Sequence, residues 1–180
     1  MATSTRLTID DFERLPQEIA EGHELVDGEL VEVPGNNPEH NLTRDFLNEV
    51  ARPFVREHNL GMVLSEQEYD FGGNAHAPDI TFFGREKVPL LERKRRVQKF
   101  VPDLAIEIVS PSDTFDSVAR KKDRYRRCGT AEVWIISPAA REVLVYSDSG
   151  DRIVRGDREL STPLIPGLQI ALFQLFEAYN

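Results

Sequence analysis

The sequence predicts an α/β fold in which a β-sheet carries helices on its faces. Short apolar strands bounded by turns recur along the chain, and apolar residues follow helical spacing over two longer stretches, at about 39–59 and 114–128. This mixture of elements is typical of α/β domains. With 180 residues, of which 40% are hydrophobic, we expect one domain spanning residues 1–180 with a core of its own.

The N-terminal region is expected to combine a short helix with a β-hairpin. Thr8 is suited to cap a helix that ends near Leu15, and Asp11 stands at the third position after it. Residues 24–33 alternate around Asp27-Gly28, a dipeptide that favours the positive φ angles of a tight turn. Two antiparallel strands should therefore follow the first helix.

Two longer helices are expected to face the core. The first covers about residues 39–59, and its apolar residues recur every three or four positions. The second covers about residues 114–128 and should turn Phe115, Val118 and Tyr125 inward and its basic residues outward. Both helices should pack on the sheet.

The remaining apolar segments predict strands. The charged stretch 84–100 is only weakly periodic and is expected to be a loop, whereas the apolar stretch 168–176 should lie in the core or at an interface. The expected strands cover residues 62–65, 66–71, 79–83, 102–109, 132–137, 142–146 and 151–155. The strands thus dominate over the helices.

The charge of the chain is unevenly distributed. The net charge is −9, yet residues 81–127 hold 13 Lys and Arg against 7 Asp and Glu. A local basic patch of this kind can meet phosphate groups even on an acidic protein. The alternative is an ordinary solvated face. The side chains that we expect to contact a nucleic-acid backbone are Arg93, Lys94, Arg95, Arg96, Lys99, Lys122 and Arg124.

Cysteine content and hydropathy favour a cytosolic protein. Cys128 is the single cysteine of the chain and excludes an internal disulfide. We find neither a secretory leader nor an apolar run long enough to span a bilayer. A cytoplasmic location is therefore expected.

Two acidic residues stand out in apolar strands. Glu107 interrupts the strand at 104–109, and Asp79 follows Pro78 at the mouth of another strand. A charge in an apolar strand is usually paired, hydrogen-bonded or bound to metal. Acids on neighbouring strands are able to share one cation. Alternatively, Asp79 caps a turn after Pro78, and Glu107 pairs with a basic residue of the 114–127 helix.

Other kinds of catalytic site find little support. Cys128 has no histidine partner that the sequence identifies, and there is no nucleophile elbow, phosphate-binding loop or dinucleotide-binding motif. The four histidines lack the spacing of a zinc site. His40 stands at the start of a helix. It is a candidate site residue because its side chain could point toward the acids.

The acids suit a hard divalent cation. Mg²⁺ prefers oxygen ligands and keeps several waters, so two carboxylates and a main-chain carbonyl are sufficient. Such an ion activates water and offsets charge on a phosphoryl group, and a nearby ammonium assists phosphodiester hydrolysis. A site of this type therefore also needs a lysine.

The motifs together resemble the Uma-two family of restriction endonucleases, within the PD-(D/E)XK nuclease superfamily. The matching residues are Pro78-Asp79, Glu107 followed by Ser110-Pro-Ser-Asp113, Lys121 four residues before Tyr125, and then Gly129 and Trp134. The resemblance extends from the hairpin Glu24-Leu-Val-Asp-Gly28 and His40 to Leu164-Ile-Pro-Gly167.

This resemblance implies a restriction-endonuclease-like fold, with a mixed central sheet flanked by helices and an N-terminal β-hairpin extension. It assigns Asp79 and Glu107 as catalytic metal ligands, and the carbonyl of Ile108 as a third ligand. The superfamily lysine is expected at position 109, where this chain has Val109. The family instead offers a lysine on the following helix, and Lys121 holds that position.

The implied function is metal-dependent hydrolysis of DNA phosphodiester bonds, with Mg²⁺ or Mn²⁺ as cofactor. Lys121 would support the attacking water, while Lys122, about 100° further round the helix, should face elsewhere. A homodimer is expected, because cutting both strands of a duplex usually requires two sites. The alternatives are a noncatalytic binding or assembly protein that keeps the fold, and cleavage of RNA or branched DNA at the same site.

Overall fold

The computed structural model describes residues 6–177. Its helices are α1 (Ile9–Arg14), α2 (Gln17–Ala20), α3 (Pro38–Glu57), α4 (Phe115–Arg127) and α5 (Leu172–Glu177), and a 3-10 helix covers Val88–Leu90. Its strands are β1 (His23–Val26), β2 (Glu29–Glu32), β3 (Gly61–Ser65), β4 (Glu68–Asp70), β5 (Ala75–His76), β6 (Ile80–Gly84), β7 (Val97–Gln98), β8 (Leu104–Ile108), β9 (Glu132–Ser137), β10 (Glu142–Ser147), β11 (Arg152–Arg155), β12 (Glu159–Ser161) and β13 (Gln169–Ala171).

A mixed six-stranded sheet forms the centre of the fold. Its strand order is β11-β10-β9-β8-β6-β3. The β8–β9 pair is parallel, with Ile106 opposite Trp134, while the other pairs are antiparallel. The α4 helix connects the two parallel strands, as a crossover between parallel strands usually does. The expected mixed central sheet is confirmed.

The N-terminal hairpin is part of a second sheet. As predicted, β1 and β2 pair around Asp27-Gly28, both of which have positive φ. β1 also pairs with β5 on its other side, and the sheet has the order β2-β1-β5-β4-β7. The predicted N-terminal hairpin is therefore paired with the rest of this sheet.

The two faces of the central sheet are covered by different helices. Alternate residues of β9 point to opposite sides, so Trp134 and Ile136 join the core under α3 and α5, whereas Val133 and Ile135 join the core under α4. A third core lies between the N-terminal helices and the second sheet, around Phe12, Leu25 and Val97. The α4 face of the central sheet is the one that carries the candidate site.

Local signals explain how the helices begin. Thr8 caps α1 in a capping box with Asp11, as predicted. Thr114 caps α4 in a second capping box with Ser117. In α3, the Asn37 side chain accepts a hydrogen bond of 2.8 Å from the His40 amide, which places His40 in the first turn.

Three sequence expectations need correction. Phe115 does not face the core: it is the first residue of α4 and is 87% exposed, because it stands in the segment 111–116, all of which is exposed to solvent. Val118 and Tyr125 do pack inward. The stretch 84–100 is not all loop, since it holds the 3-10 helix and β7. The short strands β5, β12 and β13 were not predicted.

The C-terminal apolar stretch belongs mainly to the core. Leu168, Ile170, Leu172 and Leu175 are buried against α3 and the central sheet, while Phe173 is exposed. Within residues 6–177, no helix has both the length and the apolar character needed to cross a membrane.

Candidate active site

Asp79 and Glu107 face each other across two neighbouring strands. β6 and β8 are antiparallel with Ile80 opposite Ile106, and continuing this register places Asp79 opposite Glu107 on the α4 side of the sheet. Both acids line a cleft of about 230 Å³, which Ile108 and Lys121 also line. The structure therefore brings together the four residues that the sequence analysis selected as catalytic residues or metal ligands.

Hydrogen bonds fix the Asp79 carboxylate. Its Oδ2 accepts a bond of 2.7 Å from the Ile108 amide on the neighbouring strand. Its Oδ1 lies 3.1 Å from Nε2 of buried His40, so the histidine does point toward the acids. The first turn of α3 thus holds the Asp79 carboxylate through His40.

Glu107 is held from the helix side of the cleft. Tyr125, which the sequence analysis regarded as core, is fully buried, and its hydroxyl donates a bond of 2.6 Å to Glu107 Oε1. Glu107 Oε2 lies 3.6 Å from the Lys121 ammonium. Burial, with a further contribution from the Asp79 and Glu24 charges, raises the pKa of Glu107 to about 7 even though Lys121 opposes the shift.

One face of α4 supplies the polar groups of the site. Lys121, Arg124 and Tyr125 stand at positions i, i+3 and i+4, which lie on the same side of a helix. Lys122 lies on another side, paired with Asp123 and stacked 4.7 Å from the Tyr146 ring. The expected difference in direction between the two lysines is therefore present.

Glu24 and His76 also lie in the site, although they were not predicted from the sequence. Glu24 Oε1 lies 3.0 Å from Lys121 Nζ, and Glu24 Oε2 lies 3.0 Å from His76 Nδ1. Burial acts to raise the pKa of Glu24, but the contacts of its carboxylate with His76 and with the Lys121 ammonium prevail and lower it to about 2. An acid beside Leu25 and Val26 in a strand is the same signal that singled out Glu107. No comparable signal marks His76, which reaches the site only through tertiary structure.

The seven basic residues selected for nucleic-acid contact fall into two groups. Arg93, Lys94 and Lys99 are exposed. The other four are engaged within the protein: Arg95 with Glu13 at 2.5 Å, Arg96 with Glu68 at 2.5 Å, Lys122 with Asp123, and Arg124 with Asp27 at 3.1 Å. Only the first group presents its charges freely to solvent.

The donor set of the cleft fits a hard cation with few protein ligands. Among residues 6–177, no group of three or more His, Cys, Asp or Glu side chains has the arrangement of a metal cluster. Two carboxylates and a main-chain carbonyl at Ile108 nevertheless provide oxygen donors, and Mg²⁺ usually completes its shell with water. Burial is the main cause of the raised pKa of Glu107, and a divalent cation beside the carboxylate would favour its ionised form.

Comparison with known proteins agrees with this architecture. A family model described as "Uma2: Putative restriction endonuclease" matches residues 9–173. The structure is similar to that of "a putative nuclease belonging to DUF820" from Anabaena variabilis ATCC 29413, with a TM-score of 0.83, 24% sequence identity, and coverage of 94% of this chain and 97% of that chain. At this identity the similarity shows the fold. None of the curated proteins matches the chain. The family resemblance seen in the motifs is confirmed, and the chain belongs to the Uma2 family.

Proposed function

We propose that the protein is a metal-dependent endonuclease that hydrolyses DNA phosphodiester bonds. The observation that carries the proposal is the arrangement of Asp79, Glu107 and Lys121 around one cleft, with the Lys121 ammonium 3.6 Å from the Glu107 carboxylate. Two carboxylates beside an ammonium provide both a cation site and a positive charge for a phosphoryl group. Family membership and the nuclease fold support the same activity.

Asp79, Glu107 and the Ile108 carbonyl would hold Mg²⁺ or Mn²⁺. When bound, such an ion lowers the pKa of water and offsets negative charge on the phosphoryl group. The protein holds the two carboxylates by the Ile108 amide and His40 at Asp79, and by the Tyr125 hydroxyl at Glu107. The ligands are thus oriented before the ion arrives.

Lys121 would act as a fixed positive charge. The neighbouring carboxylates of Glu107 and Glu24 outweigh burial and raise the pKa of Lys121 above its ordinary value. An ammonium that stays charged cannot take a proton from water, so Lys121 is suited to orient the attacking water and to stabilise charge on the phosphoryl oxygens.

Contacts with the DNA backbone are proposed for the exposed residues Arg93, Lys94 and Lys99. The internal ion pairs of Arg95, Arg96, Lys122 and Arg124 leave less of their charge for DNA. We also propose that the protein acts as a homodimer in the cytoplasm. Two active sites would serve the two strands of a duplex.

Cleavage of defined substrates tests the activity. Supercoiled, linear, single-stranded and branched DNA, together with an RNA of matched sequence, are incubated with Mg²⁺ or Mn²⁺. We expect metal-dependent nicking by the wild type and its loss in Glu107→Gln and Lys121→Ala, while Arg155→Gln, an exposed change on β11, keeps it. Equal nicking by all variants would indicate a contaminating nuclease. Absence of nicking by the wild type would contradict the proposed activity.

A noncatalytic protein that retains the nuclease fold is the second candidate. Lys121 lies closer to Glu24, at 3.0 Å, than to Glu107, at 3.6 Å. At position 109, where the superfamily lysine is expected, this chain has Val109. Calorimetric titration with Mn²⁺ separates the candidates. A catalytic site binds the ion saturably and loses it in Asp79→Asn and Glu107→Gln, whereas a structural pair of carboxylates shows no saturable binding.

A further inference from the structure

We propose that Arg124, His76 and Glu24 form a positioning relay that holds the Lys121 ammonium at the cleft. The proposal rests on the proposed function, since it names residues that act on the reaction through Lys121. It also moves Arg124 from DNA contact to the interior of the site. His76 and Glu24 are not among the residues proposed above to bind metal or DNA.

The hydrogen-bonding chemistry of arginine determines the state of His76. Arg124 Nη1 lies 2.9 Å from His76 Nε2. A guanidinium can only donate hydrogen bonds, so Nε2 must accept and carries no proton. The ring proton is therefore assigned to Nδ1, the nitrogen that lies 3.0 Å from Glu24 Oε2 in a close polar contact without hydrogen-bond geometry.

The middle of the relay is shielded from water. The side chains of His76 and Glu24 are 3% and 8% exposed. The His76 ring lies against aromatic rings, with centroids 5.7 Å from Tyr125 and 6.1 Å from Phe71. Buried polar groups with few alternative partners keep a defined geometry, so the contacts of Glu24 are fixed from the His76 side.

The outer end of the relay is anchored on the hairpin turn. Arg124 Nη2 lies 3.1 Å from Asp27 Oδ1, and the Asp27 amide donates a bond of 2.7 Å to Asn74 Oδ1. The turn is thereby attached both to α4 and to the loop between β4 and β5. Arg124 is held at one end by Asp27 and orients His76 at the other.

The relay determines the position of the Lys121 ammonium. A lysine side chain has four rotatable carbons and a point charge, so its position depends on its partners. Glu24 Oε1 lies 3.0 Å from Nζ, within hydrogen-bonding distance, whereas Glu107 Oε2 lies 3.6 Å away. Glu24 therefore fixes the position of the Lys121 ammonium. The Glu107 carboxylate stays available to bind a cation.

Labelling of Lys121 tests the relay without requiring nuclease activity. Lys121 and Lys122 are neighbours with similar side-chain exposure, 25% and 22%, so Lys122 is an internal reference for acetylation measured by mass spectrometry. In His76→Phe, which keeps a ring but removes both nitrogens, we expect the Lys121 to Lys122 labelling ratio to rise several-fold. His76→Gln supplies a donor and an acceptor and should restore much of the protection, and the exposed His58→Gln should change nothing.

A nitrogen NMR measurement on the wild type avoids the risk that a variant fails to fold. Labelled His76 is expected to show a protonated Nδ1 and an unprotonated Nε2 at neutral pH. Protonation of Nε2, or an unchanged labelling ratio in a folded His76→Phe, would overturn the relay.

Kinetics then distinguish a positioning role for Arg124 from DNA contact. A misplaced ammonium should lower kcat by about 10- to 100-fold with little change in KM in Arg124→Gln and His76→Phe. If Arg124 instead bound a DNA phosphate, Arg124→Gln would raise KM and weaken its salt dependence, which would contradict the positioning role. If the wild type cuts no substrate, the proposed function fails, while labelling and NMR still decide whether the relay holds Lys121.

Discussion

Lys121 Nζ lies 3.0 Å from Glu24 Oε1, which joins the helix after β8 to the N-terminal hairpin across the candidate active site. The two residues are 97 positions apart in the sequence. The hairpin also pairs with β5, and its first strand supplies an acid to the site.

Neutralising Glu24 should reduce stability in a pH-dependent way. The pKa of Glu24 is lowered from 4.5 to about 2, so its ionised form stabilises the fold at pH values above about 4.5, and this contribution is lost as the pH falls through 2. Near pH 7, Glu24→Gln should cost about 2–3 kcal/mol of unfolding free energy. Urea unfolding at pH 7, 5 and 3 should show the cost shrinking toward the lowest pH.

Glu32→Gln is the matched control for this prediction, because Glu32 is an exposed glutamate at the end of the same hairpin. Its effect should stay within about 0.5 kcal/mol at every pH. A cost at Glu24 that is the same at pH 7 and pH 3 would contradict stabilisation of the ionised Glu24 carboxylate by its contacts with Lys121 and His76.

Removing the Tyr125 hydroxyl should affect both stability and metal binding. The hydroxyl donates a bond of 2.6 Å to Glu107, and its loss in Tyr125→Phe should cost about 1–2 kcal/mol. Tyr69→Phe removes a buried hydroxyl bonded to Thr81 at 2.8 Å, outside the cleft lining. We expect similar losses of stability in the two variants but weaker Mn²⁺ binding by calorimetry only in Tyr125→Phe. Weaker binding in both would point to a general structural effect.

The exposure of Phe115 predicts a small effect of its removal. Phe115 is 87% exposed and Phe71 is 1% exposed. In urea unfolding, Phe115→Ala should change stability by less than about 0.5 kcal/mol, whereas Phe71→Ala should cost about 3–5 kcal/mol. A large cost at Phe115 would mean that the start of α4 is covered in solution.

The exposed basic residues should control the salt dependence of DNA binding. Arg93, Lys94 and Lys99 present their side chains to solvent. Changing all three to Gln should weaken binding, and the slope of log K against log salt should decrease by about 0.9 for each phosphate that the variant no longer neutralises. Fluorescence anisotropy at several salt concentrations measures the slope. Arg155→Gln serves as the control, and an unchanged slope in the triple variant would place the DNA elsewhere.

Local chemistry made much of the fold predictable. Thr8 and Asp11 form the expected capping box, and Asp27-Gly28 forms the expected turn, since each depends on neighbours within three residues. Two-residue strands such as β5 and β7 were missed because they depend on pairing with distant partners and have too few residues for a pattern. The error at Phe115 has a related cause: helical spacing shows which residues share a face but not where the packed surface ends.

By itself, the sequence determined the α/β class, the central strands, the two longer helices and the choice of Asp79 and Glu107 as candidate site residues, while Lys121 was chosen through the family resemblance of the motifs. It did so because hydrophobic periodicity and an isolated acid in an apolar strand are local signals. Only the tertiary structure decided that Glu24 and His76 join the site and that Arg124 is held inside the protein. These contacts link residues 48 to 97 positions apart, and strand pairing and helix packing, not spacing along the chain, determine which of them meet.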